Sequence, residues 1–414
     1  MNADFHADIA ADFKAPDRGE TISMMEPMRL GGESRFRGAL TDLALDLAQK
    51  SSGFRSSLPA SMLASIATLV RAMNCYYSNL IEGHNTHPVD IEKALRDDLS
   101  PDTRRRDLQL EAAAHIAVQK WIDKGGLAGG RAVSVDGILE VHRRFCALLP
   151  EDLLWVEDPE SKERERVLPG ELRLRDVQVG QHLAVSPGAV PRFMRRFGEA
   201  YAGIGKTETI LATAAAHHRL AWIHPFLDGN GRVARLMSHA MLLETLDTGA
   251  VWSVARGLAR NVEKYKELLS YCDMPRRNDL DGRGNLSEEA LAEFTRFFLT
   301  VSLDQVTFMQ GLMQPDGLRS RILRWTAEEI EAGNLPPKSG RVLEAILYRG
   351  ELPRGDADAV VGTGERQARR IVSALTKHGV LESDSPRSPL RLVFPAALAH
   401  RWLPGLFPEQ TDAS

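Results

Sequence analysis

His224-Pro225-Phe226-Leu227-Asp228-Gly229-Asn230-Gly231-Arg232-Val233-Ala234-Arg235 is the stretch on which the reading of this chain turns. Upstream of it, Thr209 to Ile223 is apolar and Ala-rich at helical spacing. Pro225 and Gly229 interrupt that pattern, and it resumes from Arg232 to Leu246, so a helix is predicted to begin near Asn230. The N–H groups of Gly229, Asn230 and Gly231 would then point out of a helix start, where unpaired donors and the positive dipole end favour an anion such as a diphosphate. Arg232 and Arg235 are three apart and share a helix face, placed to contact successive phosphates. Asp228 offers a hard carboxylate oxygen suited to Mg²⁺, and His224 a group that accepts a proton near neutral pH. Together these residues imply nucleotidyl or phosphoryl transfer. Taken singly, each also fits a Pro/Gly interhelical turn with solvated arginines.

At every fixed position the run resembles the Fic signature His-x-Phe-x-Asp/Glu-Gly-Asn-Gly-Arg-x-x-Arg. The resemblance implies an all-α fold with a Fic-type helical core, and transfer of AMP from ATP to a Ser, Thr or Tyr hydroxyl of a protein target with release of pyrophosphate. It implies His224 as general base, Asp228 as the Mg²⁺ ligand and Gly229 to Gly231 as the anion hole. Arg232 and Arg235 would contact the β and γ phosphates, and Phe226 would anchor the loop in the core.

Upstream, Ser78-Asn79-Leu80-Ile81-Glu82-Gly83 is similar to the family's inhibitory motif. Ser78 and Glu82 are four apart on a helix predicted from Pro59 to Gly83, the glycine serving as its cap; Ser and Glu at this spacing before Gly is also common surface chemistry. The resemblance implies that Glu82 pairs with Arg235 and denies the γ phosphate its seat. Between the motifs, Pro169 to Gly180 largely alternates apolar and polar residues and predicts a short β-hairpin. The resemblance makes it the flap, with Val177, Gln178, Val179 and Gly180 closing over the nucleotide and aligning a target backbone; an ordinary surface hairpin is the alternative. Asn261 and Tyr265 fall where the family shapes its adenine pocket.

The 414 residues suffice for two or three domains. We divide them into an arm at 1–35, tied down if at all through Met24, Met25 and Met28, an N-terminal helical region at 36–125 carrying the inhibitory helix, a core at 126–333 and a C-terminal unit at 334–414. The net charge of −4 predicts no global steering toward nucleic acid. Three scattered cysteines, Cys75, Cys146 and Cys272, suggest free thiols and a cytoplasmic setting. No basic-then-apolar leader and no membrane-length apolar run is read, so no membrane partner is expected. The histidines do not form a zinc pattern.

After Gly333 to Pro337, helical patterns at Ser339 to Tyr348, Gly355 to Val361 and Glu365 to Lys377 precede two short strands, Val380 to Glu382 and Leu390 to Phe394. This order resembles a winged helix-turn-helix, with Arg366, Arg369 and Arg370 where a recognition helix meets DNA. Eleven Lys/Arg stand against seven Asp/Glu from Lys338 to Arg401, a mild excess. DNA binding therefore competes with protein docking or dimerisation for this unit, and a DNA-binding regulator that senses nucleotide competes with the autoinhibited transferase for the whole chain. A Fic enzyme that removes AMP is a third reading.

Overall fold

Ala212, Ala214, Ala215 and Ala216 give one helix so little side-chain bulk that the next can lie close against it, and this pair forms the buried centre of the molecule. The computed structural model describes residues 15–158 and 162–408. Its helices begin with α1 (Arg37–Ser56), α2 (Ala60–Ile81), α3 (Pro88–Ala94), α4 (Thr103–Asp123) and α5 (Val135–Cys146). There follow two hairpins, β1 (Trp155–Glu157) with β2 (Arg164–Arg166) and β3 (Gln178–Val179) with β4 (His182–Leu183), both antiparallel. Next come α6 (Val190–Tyr201), the central pair α7 (Lys206–Ile223) and α8 (Asn230–Leu246), then α9 (Ala255–Arg260), α10 (Val262–Cys272) and α11 (Glu288–Leu312). Around the central pair, α1 and α11 pack on α7, α6 covers α7, and α2, α4 and α5 pack on α8.

Local chemistry sets several of these boundaries. Ser287 caps α11, its Oγ accepting from the N–H of Ala290 at 3.1 Å. Asp281, in the polar loop before it, accepts from the N–H of Glu289 at 2.8 Å and from the Oγ of Ser287 at 3.0 Å, so this loop carboxylate serves the helix start. The C-terminus of α2 closes with Gly83 at φ +86°, His84 N–H donating to the carbonyl of Asn79 at 2.9 Å and Gly83 N–H to that of Leu80 at 3.1 Å. This pair of bonds satisfies the last carbonyls of the helix and requires a left-handed residue where Gly83 stands.

The C-terminal part contains α12 (Pro315–Glu331), α13 (Ser339–Arg349), β5 (Glu351–Leu352), α14 (Ala357–Val361), α15 (Glu365–Lys377), β6 (Leu381–Glu382), β7 (Leu390–Leu392) and α16 (Ala399–Trp402). Its strands form an antiparallel sheet in the order β5-β7-β6. The chain is thus predominantly helical, with small β elements.

Several elements depart from the sequence reading. The hairpin expected over Pro169 to Gly180 is displaced: 169–177 is irregular and the paired strands span 178–183, because Arg173 turns inward to hold carbonyls where strand alternation would need a strand partner. The hairpin β1–β2, the strand β5 and the helix α12 were not anticipated. The stretch 15–35 packs against the body through Met25 and Met28 of the three expected methionines, while Met24 is exposed. Met25, Met28 and Leu30 are buried, Arg219 donates to the carbonyl of Pro27 at 2.8 Å, and Arg18 donates to Asp176 at 2.7 Å; residues 1–14 of the expected arm lie outside the described residues. The C-terminal part docks on the helical body. Strand β7 lies against α2, Tyr77 of α2 donates to the carbonyl of Leu406 at 3.0 Å, and Arg256 to that of Gly405 at 2.7 Å. No single helix among the described residues is long and apolar enough to cross a membrane.

Candidate active site

Helix α7 stops because Pro225 follows His224, which takes a left-handed conformation (φ 51°) as the helix cap. The His224 ring lies with Nδ1 3.2 Å from the carbonyl oxygen of Ala221. A carbonyl only accepts, so the proton belongs on Nδ1 and Nε2 keeps its lone pair. Burial pushes the imidazole pKa down to about 4, against the hydrogen bond to Ala221, which favours the protonated form; the ring is neutral at pH 7. Phe226 is fully buried and stacks on His142, ring centroids 3.9 Å apart. The Asn230 amide clamps it from the other side, accepting from Phe226 N–H at 2.9 Å and donating to Phe226 O at 2.8 Å. Gly229, at φ +82°, is the left-handed residue before α8, a conformation other residues adopt only with strain. The first N–H groups of α8 have no carbonyl within the helix to meet.

Both motif arginines are buried and both are engaged. Arg235 donates from Nε to the Oγ of Ser78 at 2.8 Å and from Nη2 to the Ser78 carbonyl at 3.2 Å, and pairs with Glu82. Ser78 and Glu82 therefore reach one guanidinium from successive turns of α2. The Glu82 carboxylate also lies over Gly231, so close that a Cβ on that glycine could not be accommodated without displacing it. Burial pushes the Glu82 carboxyl up, but the Arg235 charge and hydrogen bond outweigh it and hold the group below the usual carboxylate range. The carboxylate thus occupies ground that an anion at this helix start would need.

Arg232 pairs with Glu111 of α4 and donates to Asp228 at 3.0 Å, its guanidinium 4.7 Å from the ring centroid of Phe145. Burial lowers its pKa to about 10, still well above neutrality. The second oxygen of Glu111 lies 2.8 Å from Nδ1 of His84. Asp228 itself is exposed at the mouth of the turn. Neither Glu111 nor His84 was anticipated. A signal exists in the sequence: Glu111, His115, Gln119 and Asp123 recur every four residues on a helix whose other faces hold its apolar positions, and all four are buried or nearly so.

Arg173 was also missed as a site residue. Its buried guanidinium donates to the carbonyls of His224 at 2.7 Å, Arg175 at 2.7 Å, Ile223 at 3.4 Å and Val185. His182 of β4 adds a contact at 2.8 Å to the carbonyl of Trp222. These bonds tie the segment before and after the β3–β4 hairpin to the last turn of α7, beside His224. Gln178, Val179 and Gly180 are exposed on that hairpin, and Val177 holds its base by accepting from Ala184 N–H at 3.1 Å. Tyr265 is buried beneath the site with its hydroxyl 2.7 Å from His217 Nε2, and Asn261 is exposed with its side chain folded back on the carbonyl of Gly257 at 2.8 Å. The structure therefore brings together His224, Asp228 to Arg232, Arg235, Ser78 and Glu82. Arg366, Arg369 and Arg370 stand apart from them, exposed on α15.

The Fic/DOC family model matches residues 132–242, which span α5, both hairpins, α6, α7, the motif loop and most of α8. Over 170 residues the chain is 29% identical to the protein adenylyltransferase Fic of Drosophila erecta, and over 171 residues 30% identical to that of Drosophila melanogaster. Each match covers 41% of this chain and 31% of the relative, so the chain spans about a third of the length of these curated relatives. Among solved structures, a Fic family protein from Desulfovibrio desulfuricans superposes with a TM-score of 0.50 at 16% identity, covering 86% of this chain and 96% of that one. That likeness concerns the fold. Residues 132–242, with the motif loop they carry, are thus similar to the Fic/DOC family.

Proposed function

We propose that this protein is an autoinhibited protein adenylyltransferase that moves AMP from ATP to a Ser, Thr or Tyr hydroxyl of a target protein. The observation that carries the reading is the engagement of Arg235 by Ser78 and Glu82 while the Glu82 carboxylate covers Gly231, next to a histidine whose Nε2 is free to accept a proton. An anion seat built from a helix start and two guanidinium groups, and blocked by a displaceable carboxylate, fits a polyphosphate substrate. The curated relatives that share this region carry the name protein adenylyltransferase.

With Glu82 withdrawn, the triphosphate lies along the start of α8 and Arg235 meets its γ phosphate. The target hydroxyl oxygen forms a bond to the α phosphorus, the bond from that phosphorus to the bridging oxygen breaks, and pyrophosphate leaves. The hydroxyl proton passes to Nε2 of His224. Arg173 keeps His224 and the hairpin in register, and the free edge of β3 receives the target backbone. Asp228 would hold Mg²⁺, a hard cation that one protein carboxylate suits, and the ion would supply neutralisation of the phosphate charge. Intact mass after incubation with ATP and Mg²⁺ tests the reading. An AMP-sized increment on Glu82→Gly, little on the wild type and none on Glu82→Gly/His224→Ala is expected. No increment on any of them overturns it and favours removal of AMP.

A second reading is favoured by α15. Arg366, Arg370, Ser373 and Lys377 lie on one exposed face, and the first, second and fourth have no ion pair among the described residues, while Arg369 pairs with Glu365. We read the unit from α13 to β7 as a winged helix-turn-helix that meets DNA along this stripe. Duplex binding that weakens with salt and is lost in Arg366→Ala/Arg370→Ala, with self-modification unchanged, is the expected result. Binding that ignores both substitutions removes the reading.

A further inference from the structure

The two carboxylates on the motif arginines differ in how they are held. Glu82 follows the last residue of α2 and its side chain keeps 34% of its exposure, so it can leave Arg235 by loosening one helix end. Glu111 sits within α4, its side chain only 8% exposed, with one oxygen on Arg232 and the other on His84. To leave Arg232, it would need the body of α4 to move. Arg232 is itself fixed from three sides, by Glu111, by Asp228 and by the face of Phe145, and its Nε is buried with no partner among the described residues.

A guanidinium carries five N–H donors, and the described bonds of Arg232 leave some of them unused at the start of α8. A long arginine side chain loses much rotamer freedom when it binds a phosphate, and a buried partner that has already ordered it lowers that cost. We propose that Glu111 is a positioning residue for nucleotide recognition: it stays paired with Arg232 in the closed and the nucleotide-bound states and turns the free donors of Arg232 toward the terminal phosphates. The proposal rests on the reading of the turn as a phosphate seat. It runs against simple electrostatics, under which removing a buried negative charge near a polyphosphate should tighten binding.

That opposition makes the proposal testable on the full-length chain by calorimetry with Mg·ATP and, separately, AMP. In a Glu82→Gly background, adding Glu111→Gln is expected to weaken ATP about tenfold, the order of one charge-assisted hydrogen bond. AMP affinity should not move, because AMP lacks the phosphates that Arg232 serves. Glu111→Asp, which keeps the charge but draws it back by one methylene, should recover part of the loss, and Glu111→Gln on top of Arg232→Ala should add nothing. Unchanged or tighter ATP binding in Glu82→Gly/Glu111→Gln overturns the proposal and makes Glu111 a second inhibitory carboxylate. Equal weakening of ATP and AMP overturns it too, in favour of a purely structural role. Should the Gln variant not fold, Glu111→Asp alone decides, with a smaller selective loss of ATP expected and an unchanged affinity as the contrary result. If Glu82→Gly itself binds no ATP, the phosphate-seat reading falls and takes the proposal with it.

Discussion

Arg232 and Arg235 stand about one turn apart on α8, carry the same charge and are both paired with a glutamate, yet their partners come from structurally opposite places. The partner of Arg235 hangs from the last turn of α2, half held by a Gly cap and open to solvent on one side. The partner of Arg232 is embedded in α4 and braced by His84. An ion pair whose carboxylate sits at a helix end can open by local fraying, whereas one seated in a helix interior opens only with the element that carries it. The same chemistry thus yields a latch in one case and a brace in the other, decided by where the backbone anchors each carboxylate.

The largest expected effect breaks the comparison at the proton. In the Glu82→Gly background, adding His224→Ala should lower self-modification by about 10² to 10⁴-fold, the range of general base catalysis, while ATP affinity stays within several-fold. Retained transfer would place the base elsewhere. Next comes the latch: Glu82→Gly should raise self-modification over wild type by roughly tenfold or more, equivalent to about 1.4 kcal/mol. Glu111→Gln in the otherwise wild-type chain should not raise it at all. A gain in both would make the two glutamates equivalent and dissolve the distinction.

Arg235→Ala probes the latch from its other half and should weaken ATP by about 1–3 kcal/mol in calorimetry. Equal affinity would mean that Arg235 is structural. Ser78→Ala removes a hydrogen bond to a buried guanidinium and should loosen the latch in part, with self-modification between wild type and Glu82→Gly. The smallest effect is in pH. Because burial holds His224 down to about 4, the base is already neutral above that value and is lost only as pH falls through it. The kcat/KM profile of Glu82→Gly should therefore show no rise between about pH 5.5 and 7.5 that His224 explains. An apparent pKa near 6.5 in that profile would show the imidazole to be more solvated than its surroundings here imply.

Helix starts and ends were legible where the signals are local. The Pro225 and Gly229 break marked the end of α7 and the start of α8, and Gly83 the end of α2, because each depends on the conformational limits of one or two residues. Helix α12 escaped notice because its buried residues, Leu318, Ile322, Trp325 and Thr326, make only a thin stripe among many charges, and Pro315 reads as a breaker although it is well suited to a first helical turn. The hairpin was displaced because alternation over Pro169 to Gly180 cannot distinguish a strand from a segment whose arginine is drawn inward by carbonyls 50 and 51 residues away.

The site divides in the same manner. By itself the sequence determined the motif loop, the pair of arginines on one face, and the Ser78 and Glu82 spacing, since all of these are relations within one helix or one turn. Only the tertiary structure decided that Glu82 lies over Gly231, that Glu111 of α4 holds Arg232, and that Arg173 bolts the hairpin to the end of α7. Those are relations between elements brought together by packing of their apolar faces, and a polar residue carries no mark in the chain of which distant charge or carbonyl it will meet when those faces close.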